Sequence, residues 1–278
     1  MKVLKKTWLS AAIMSSLLLA ACGGDEQEAG SATNSGGETI AISGSTSVGP
    51  LAEKLAAEHS EQTDVKIEVN QIGSSAGITN VINGVSDIGM SSRDLKDEEA
   101  AQLDQTIIAY DGIVVVAHPS NPVKDITMEQ VKQIFTGEVT NWKQLGGKDM
   151  EIVVVSREDG SGSRDAFQEI VGYESGQLIR NAIVASGNGN IKTTVATNKH
   201  AVGFISFEYV DETISTFNIN GVEPSADNVL NNSYDLARPF LFVHTEEALT
   251  QQGQQFIDFI LSSDGQDIVE AAGAIRLD

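Results

Sequence analysis

Positive charge is scarce in this chain: 18 Lys and Arg stand against 39 Asp and Glu in 278 residues, for a formal net charge of −21. Proteins that coat nucleic acid draw their affinity from neutralised phosphates, so that class of function is excluded. The same deficit does not exclude a small anionic ligand, because salt screens charges lying more than about 8 Å from a buried site. Cysteine is scarcer still: Cys22 stands alone, so no internal disulfide can form and a small stapled scaffold is excluded. His59, His118, His200 and His244 show no ligand spacing and no Gly-Lys-Ser/Thr phosphate loop occurs, so neither a metal nor any other cofactor is expected. Acidic pairs such as Glu98-Glu99 and Glu246-Glu247 read as solvated helix faces. What is present is 41% apolar residues, enough to bury a sizeable core.

Residues 1–21 carry Lys2, Lys5 and Lys6, then an apolar stretch from Trp8 to Ala21, and no acid. The stretch is shorter than the roughly 18 residues of a spanning helix and reads as a secretory signal peptide. It ends in Leu19-Ala20-Ala21-Cys22-Gly23, which resembles the lipobox of bacterial lipoproteins. That resemblance implies lipidation at Cys22 and an extracytoplasmic domain anchored to the cell membrane, at the cell surface or in the periplasm. The alternative is a small buried thiol in an ordinary signal-anchor. Residues 22–38 are rich in Gly, Ser, Glu and Asn and read as a flexible tether.

From Thr39 onward, short β-rich runs alternate with helix-period stretches, the pattern of an α/β protein. Strands are expected at Thr39–Ser43, Val65–Ile72, Asp87–Met90, Met150–Ser156, Ala201–Ser206 and Phe240–His244. Helices are expected over about 47–59, 76–84, 164–172, 246–261 and 265–271, with Thr127 to Gln130 forming a capping box at the start of another. The apolar run Ile107–His118 suits a fully buried central strand or a segment passing between domains.

Three of these strands run into Gly/Ser/Thr turns that open helices: Ser43-Gly44-Ser45-Thr46-Ser47, Gly73-Ser74-Ser75-Ala76-Gly77 and Gly160-Ser161-Gly162-Ser163. Each taken alone reads as a Ser/Thr helix cap. Together, unsatisfied helix N–H groups, hydroxyls and close backbone approach at glycine would make an anion cage without high net charge. Arg157, one of six arginines, stands three residues before the third turn, and its forked guanidinium suits an oxyanion.

Segments 44–50 (GSTSVGP), 73–77 (GSSAG), 87–93 (DIGMSSR), 110–116 (YDGIVVV), 135–142 (FTGEVTNW) and 156–163 (SREDGSGS) complete the pattern. As a set and in this order, from about residue 40 to the C-terminus, they resemble the substrate-binding protein of bacterial phosphate ABC transporters. The resemblance implies a two-lobed periplasmic-binding-protein fold (type II, Venus flytrap) with the ligand cleft between lobes. One lobe would comprise 39–112 and 221–278, the other 113–220. The implied function is high-affinity binding of inorganic phosphate by a non-enzymatic monomer. Delivery would be to ABC permease transmembrane subunits with a cytoplasmic ATPase. The implied contacts are Ser45, Thr46 and Ser47 in the first loop, Ser74 in the second, and Arg157, Ser161, Gly162 and Ser163 around the third.

One position departs: where well-known members of that family carry an aspartate, this chain has Ser92, followed by Arg93. An aspartate accepts the proton phosphate keeps and repels sulfate, whereas a serine accepts without repulsion. Asp111 or a serine lone pair could supply the acceptor, and binding of sulfate, molybdate or arsenate stays open. Gly73 to Gly77 also satisfies G-x-S-x-G between strand and helix, so a serine esterase using Ser75 with His200 or His244 is a rival reading. A surface protein acting by protein contact alone is a third.

Overall fold

The structure is a computed structural model that describes residues 39–277. The expected signal peptide (1–21), Cys22 and the tether (22–38) lie outside the described residues.

The chain runs β1 (Thr39–Gly44), α1 (Gly49–Gln62), β2 (Lys66–Gln71), α2 (Ser74–Ile82), β3 (Ile88–Ser91), α3 (Asp97–Ala100) and β4 (Asp104–Ala117). It continues through β5 (Asp125–Ile126), α4 (Met128–Thr136), β6 (Val153–Arg157), α5 (Gly162–Val171), β7 (Ile183–Ala185), α6 (Gly187–Thr197) and β8 (Ala201–Ser206). The last part is β9 (Ser215–Thr216), β10 (Asn218–Ile219), α7 (Ala226–Leu230), β11 (Ala237–His244), α8 (Gln251–Leu261) and α9 (Ser263–Ala271). The expected strands and helices are found with ends shifted by a few residues, except that the helix expected from about 246 begins only at Gln251, which leaves Glu246 and Glu247 in a turn before it. The capping box is there too: Thr127 Oγ1 accepts from Gln130 N–H at 3.1 Å, and Gln130 Oε1 accepts from Thr127 N–H at 2.9 Å. Strand β7 and helix α6 were not expected.

The main sheet follows the order β2-β1-β3-β11-β4-β8-β6-β7. Strand β4 joins its two halves: Asp104–Gly112 pair antiparallel with β11, and Ile113–Ala117 pair antiparallel with β8. The 107–118 run is thus a central strand of the sheet, buried from Gly112 to Ala117 and partly exposed at Ile107. In its second half both faces are covered, Val115 facing one apolar cluster and Val114 and Val116 another. A separate cluster forms around Ile40, Leu51, Met90, Phe242 and Phe256, on the β1–β3 side of the sheet.

β1 pairs parallel with both β2 and β3, and β6 pairs parallel with β7 and β8. The three serine turns therefore follow the carboxyl ends of β1, β2 and β6, each feeding a helix. This is where open α/β sheets bind ligands. Gly77 makes the packing possible on the β1 side, since a side chain there would meet Gly44 Cα and Ser43 O.

Candidate functional site

The turn after β6 meets the turns after β1 and β2 face to face. Arg157 Nη2 donates to Thr46 Oγ1 at 2.8 Å, and Ser47 Oγ lies 2.8 Å from Ser163 Oγ. Gly162 lies against Ser74 and Ser92, so that a Cβ there would come within 2.8 Å of Ser74 Cβ and of Ser92 Oγ. Ser75 N–H donates to Gly160 O at 3.2 Å. The absence of a side chain at Gly162 is what lets the first turn of α5 reach the first turn of α2.

Whether these serines merely cap helices is decided by their partners. Helices α1 and α2 have no side-chain cap at their N-cap residues Val48 and Gly73. Ser45 Oγ serves its own loop, accepting from Ser47 N–H at 3.1 Å and Val48 N–H at 3.2 Å, and donates to Ser92 Oγ at 2.9 Å. Ser161 does cap α5, its Oγ accepting from Arg164 N–H at 3.3 Å, so its side chain is committed to the helix. Thr46, Ser47, Ser74, Ser92 and Ser163 spend no hydroxyl on capping. The four serines among them and Arg157 are each at most 1% exposed. Of the nine residues expected at the site, eight are linked by these contacts, and Ser161 joins them only through its place in the turn.

Arg157 is paired with its neighbour: Nε and Nη2 each donate to the Glu158 carboxylate at 2.8 Å. Burial acts to raise the Glu158 carboxyl, but the hydrogen bonds and charge of Arg157 outweigh it and hold that group below its ordinary value. Glu158 was not foreseen, although its place beside Arg157 was a signal. Asn188, at the start of α6, was also missed; it accepts from Arg157 Nη1 at 3.3 Å and donates to Ser47 Oγ at 2.9 Å.

Asp111 does not supply an acceptor to the site. Its Oδ2 is taken by Arg238 Nε at 3.0 Å and Nη2 at 2.8 Å, and its Oδ1 by Ser206 Oγ at 2.8 Å and Phe207 N–H at 3.2 Å. Burial pushes the Asp111 carboxyl up while these four donors pull against it. Arg238 Nη1 continues the network to Ser92 O at 3.2 Å. The esterase arrangement is not formed either. Ser75 Oγ lies 3.4 Å from Arg93 Nη2, while the rings of His200 and His244 interact with Glu151 O and Thr245 O.

A fold of this kind, with three glycine- and serine-rich turns meeting at the carboxyl ends of parallel strands, defines a class of protein, and a sequence profile agrees. The PBP superfamily domain matches residues 29–264, and the chain belongs to that superfamily of two-lobed binding proteins. Within it the chain belongs with the phosphate-binding proteins PstS. It is 31% identical to the phosphate-binding protein PstS of Bacillus subtilis over 271 residues, covering 93% of this chain and 88% of the relative. Among solved structures, a Clostridium perfringens phosphate ABC transporter substrate-binding protein with bound phosphate is 56% identical. It superposes with a TM-score of 0.85, covering 86% of this chain and 100% of that one. An ABC-type phosphate transport receptor from Vibrio cholerae is 37% identical with a TM-score of 0.75, covering 85% of this chain and 99% of that one.

Proposed function

We propose that the chain binds inorganic phosphate between its two lobes and delivers it to an ABC permease, without catalysing a reaction. The observation that carries this is the meeting of Arg157 with Thr46, and of Ser163 with Ser47, across the seam. A charged fork and four buried serine hydroxyls there come from segments far apart in sequence. Ligand held by Thr46, Ser47, Ser74 and Ser92 on one side and Arg157, Gly162 and Ser163 on the other favours closure, because it gains contacts only when the lobes meet. Ser45 supports this set by orienting Ser92, and Ser161 by starting α5.

The lobe boundary after Gly112 is supported by the change of β4 partner from β11 to β8. We place the return at about 237 rather than 221, because Val222, Val229, Tyr234 and Leu236 pack into the cluster around Trp142 and Phe204. Among the described residues no helix is long and apolar enough to cross a membrane. Attachment to the membrane is proposed through lipidated Cys22, with the protein acting outside the cytoplasm as a monomer. Palmitate labelling lost in Cys22→Ala tests the anchor.

Calorimetry with phosphate, sulfate, molybdate and arsenate in turn tests the ligand. Saturable phosphate binding that exceeds the others supports the reading. No phosphate binding, or ester hydrolysis abolished by Ser75→Ala, overturns it.

A further inference from the structure

We infer that Asn188 is a positioning residue that turns the Ser47 hydroxyl into a donor toward the bound anion, an inference that rests on the phosphate-binding reading. Asn188 is 1% exposed. Its Oδ1 receives two hydrogens, from Arg157 Nη1 and from Ser206 N–H, each at 3.3 Å. A guanidinium and a backbone amide can only donate, which settles which end of the Asn188 side chain is oxygen. Nδ2 then faces Ser47 Oγ at 2.9 Å and can only donate to it. Residue 188 therefore cannot take the Ser47 proton, and that proton must point elsewhere: to Ser163 Oγ at 2.8 Å, or to an anion oxygen.

The two bonds to Oδ1 stay within one lobe, since Arg157, Asn188 and Ser206 belong to β6, α6 and β8, which pack together. The Nδ2 bond crosses to the first loop. The donor direction is thus imposed on Ser47 when the lobes meet, at the moment the anion is enclosed. The same amide holds one edge of Arg157 while Glu158 holds Nε and Nη2, so the guanidinium is fixed from two sides.

Asn188→Asp tests this in the full chain. The substitution keeps the shape and an acceptor for Arg157 and Ser206, but presents a second acceptor to Ser47. The Ser47 proton then turns toward residue 188 and is lost to the anion. Phosphate affinity at pH 8, read by calorimetry, should weaken about tenfold or more. Once the buried carboxyl takes a proton it can donate to Ser47 again, so the ratio of variant to wild-type Kd should shrink as pH falls from about 8 toward 5. Arg157, Glu158 and Tyr209 face the position, and Asp111 reaches it through Ser206. These groups are common to both proteins and cancel from the ratio, whereas the charge of the new carboxylate does not, so the ratio is also measured in a Ser47→Ala background, where repulsion of the anion persists and the effect on the Ser47 proton is gone. A loss of affinity that is the same at every pH would mean that Asn188 only packs, and would overturn the inference.

A second measurement serves if the Asp variant fails to fold. Asn188→Ala should cost clearly less affinity in a Ser47→Ala background than alone, whereas additive losses would overturn the inference. Wild-type protein that binds no phosphate defeats the underlying reading instead. Wild-type binding with a flat ratio or additive losses defeats this inference alone.

Discussion

Arg93 Nε lies 3.1 Å from Asp165 Oδ2, an ion pair that joins the loop after β3 to helix α5. The same guanidinium donates to both oxygens of Glu99, at 2.7 and 2.9 Å, on its own side. Burial opposes the charge on Arg93, but Glu99 and Asp165 outweigh it and raise its pKa, while Glu99 is held below its ordinary value. Arg93 follows Ser92 directly and Asp165 lies two residues after Ser163, so the pair stands beside the proposed anion site.

Opening the cleft must break the Asp165 arm and leaves the Glu99 arm intact. Asp165→Asn should therefore speed phosphate release about two- to fivefold, in keeping with the ~0.5–1 kcal/mol of a pair whose carboxylate is partly exposed. Association should change little. Stopped-flow release rates identical to wild type would show that the pair does not hold the lobes closed.

Arg157→Ala removes a fork of donors and leaves Glu158 facing the anion without its partner. Phosphate binding should weaken by ~2–4 kcal/mol, roughly 30- to 1000-fold. Arg157→Lys returns the charge but not the fork, and should recover only part of the loss. Calorimetry on both variants measures this, and undiminished affinity in Arg157→Ala would remove Arg157 from the site.

Selectivity should depend on Ser92. Because Ser45 Oγ already accepts two N–H groups and donates to Ser92 Oγ, Ser92 keeps a second lone pair and its proton, one of which it shares with Ser74 Oγ at 3.4 Å. It can accept the phosphate proton but carries no charge to repel sulfate. Phosphate should be preferred over sulfate by the worth of about one or two hydrogen bonds, ~1–3 kcal/mol, and Ser92→Asp should widen the gap. Competition binding measures both quantities. Sulfate competing as strongly as phosphate in the wild type would rule out discrimination at this position.

Much of this site could be read before the structure, for local reasons. Glycine and serine clustered where strands ended, and Ala201–Ser206 and Thr39–Gly44 announced themselves by dense β-forming residues. Asn188 could not be seen in this way. Gly187-Asn188-Gly189-Asn190 contains only poor helix formers, and α6 exists because Ile191 and Val195 are fully buried against Val114, Val116 and Val155. The Asp111–Arg238 pair was hidden for a different reason. Its members are 127 residues apart, and only the antiparallel register of β4 with β11 sets them opposite each other. Tertiary register removed Asp111 from the list of acceptors that its place in the sequence had suggested.

Glu208 links the network around Asp111 to a pH dependence of stability. It lies in a single 3-10 turn, Phe207–Tyr209, directly after β8, and its Oε1 is buried without a hydrogen-bond partner. Burial and the charge of Asp111 push its carboxyl up to about 8, with Lys54 and Arg238 opposing. A carboxyl raised in the folded state keeps a proton that the unfolded chain releases above about pH 4.5. Its contribution to stability therefore declines as pH rises from about 4.5 to 8, and is constant beyond. Glu208→Gln keeps the shape and removes the titration. The variant should match wild type near pH 4.5 and exceed it by ~1–3 kcal/mol at pH 8 and above, allowing for screening at a partly exposed residue. Urea unfolding of both proteins across this range measures the gap, and a gap of the same size at pH 4.5 and pH 9 would show that Glu208 is not protonated in the folded protein.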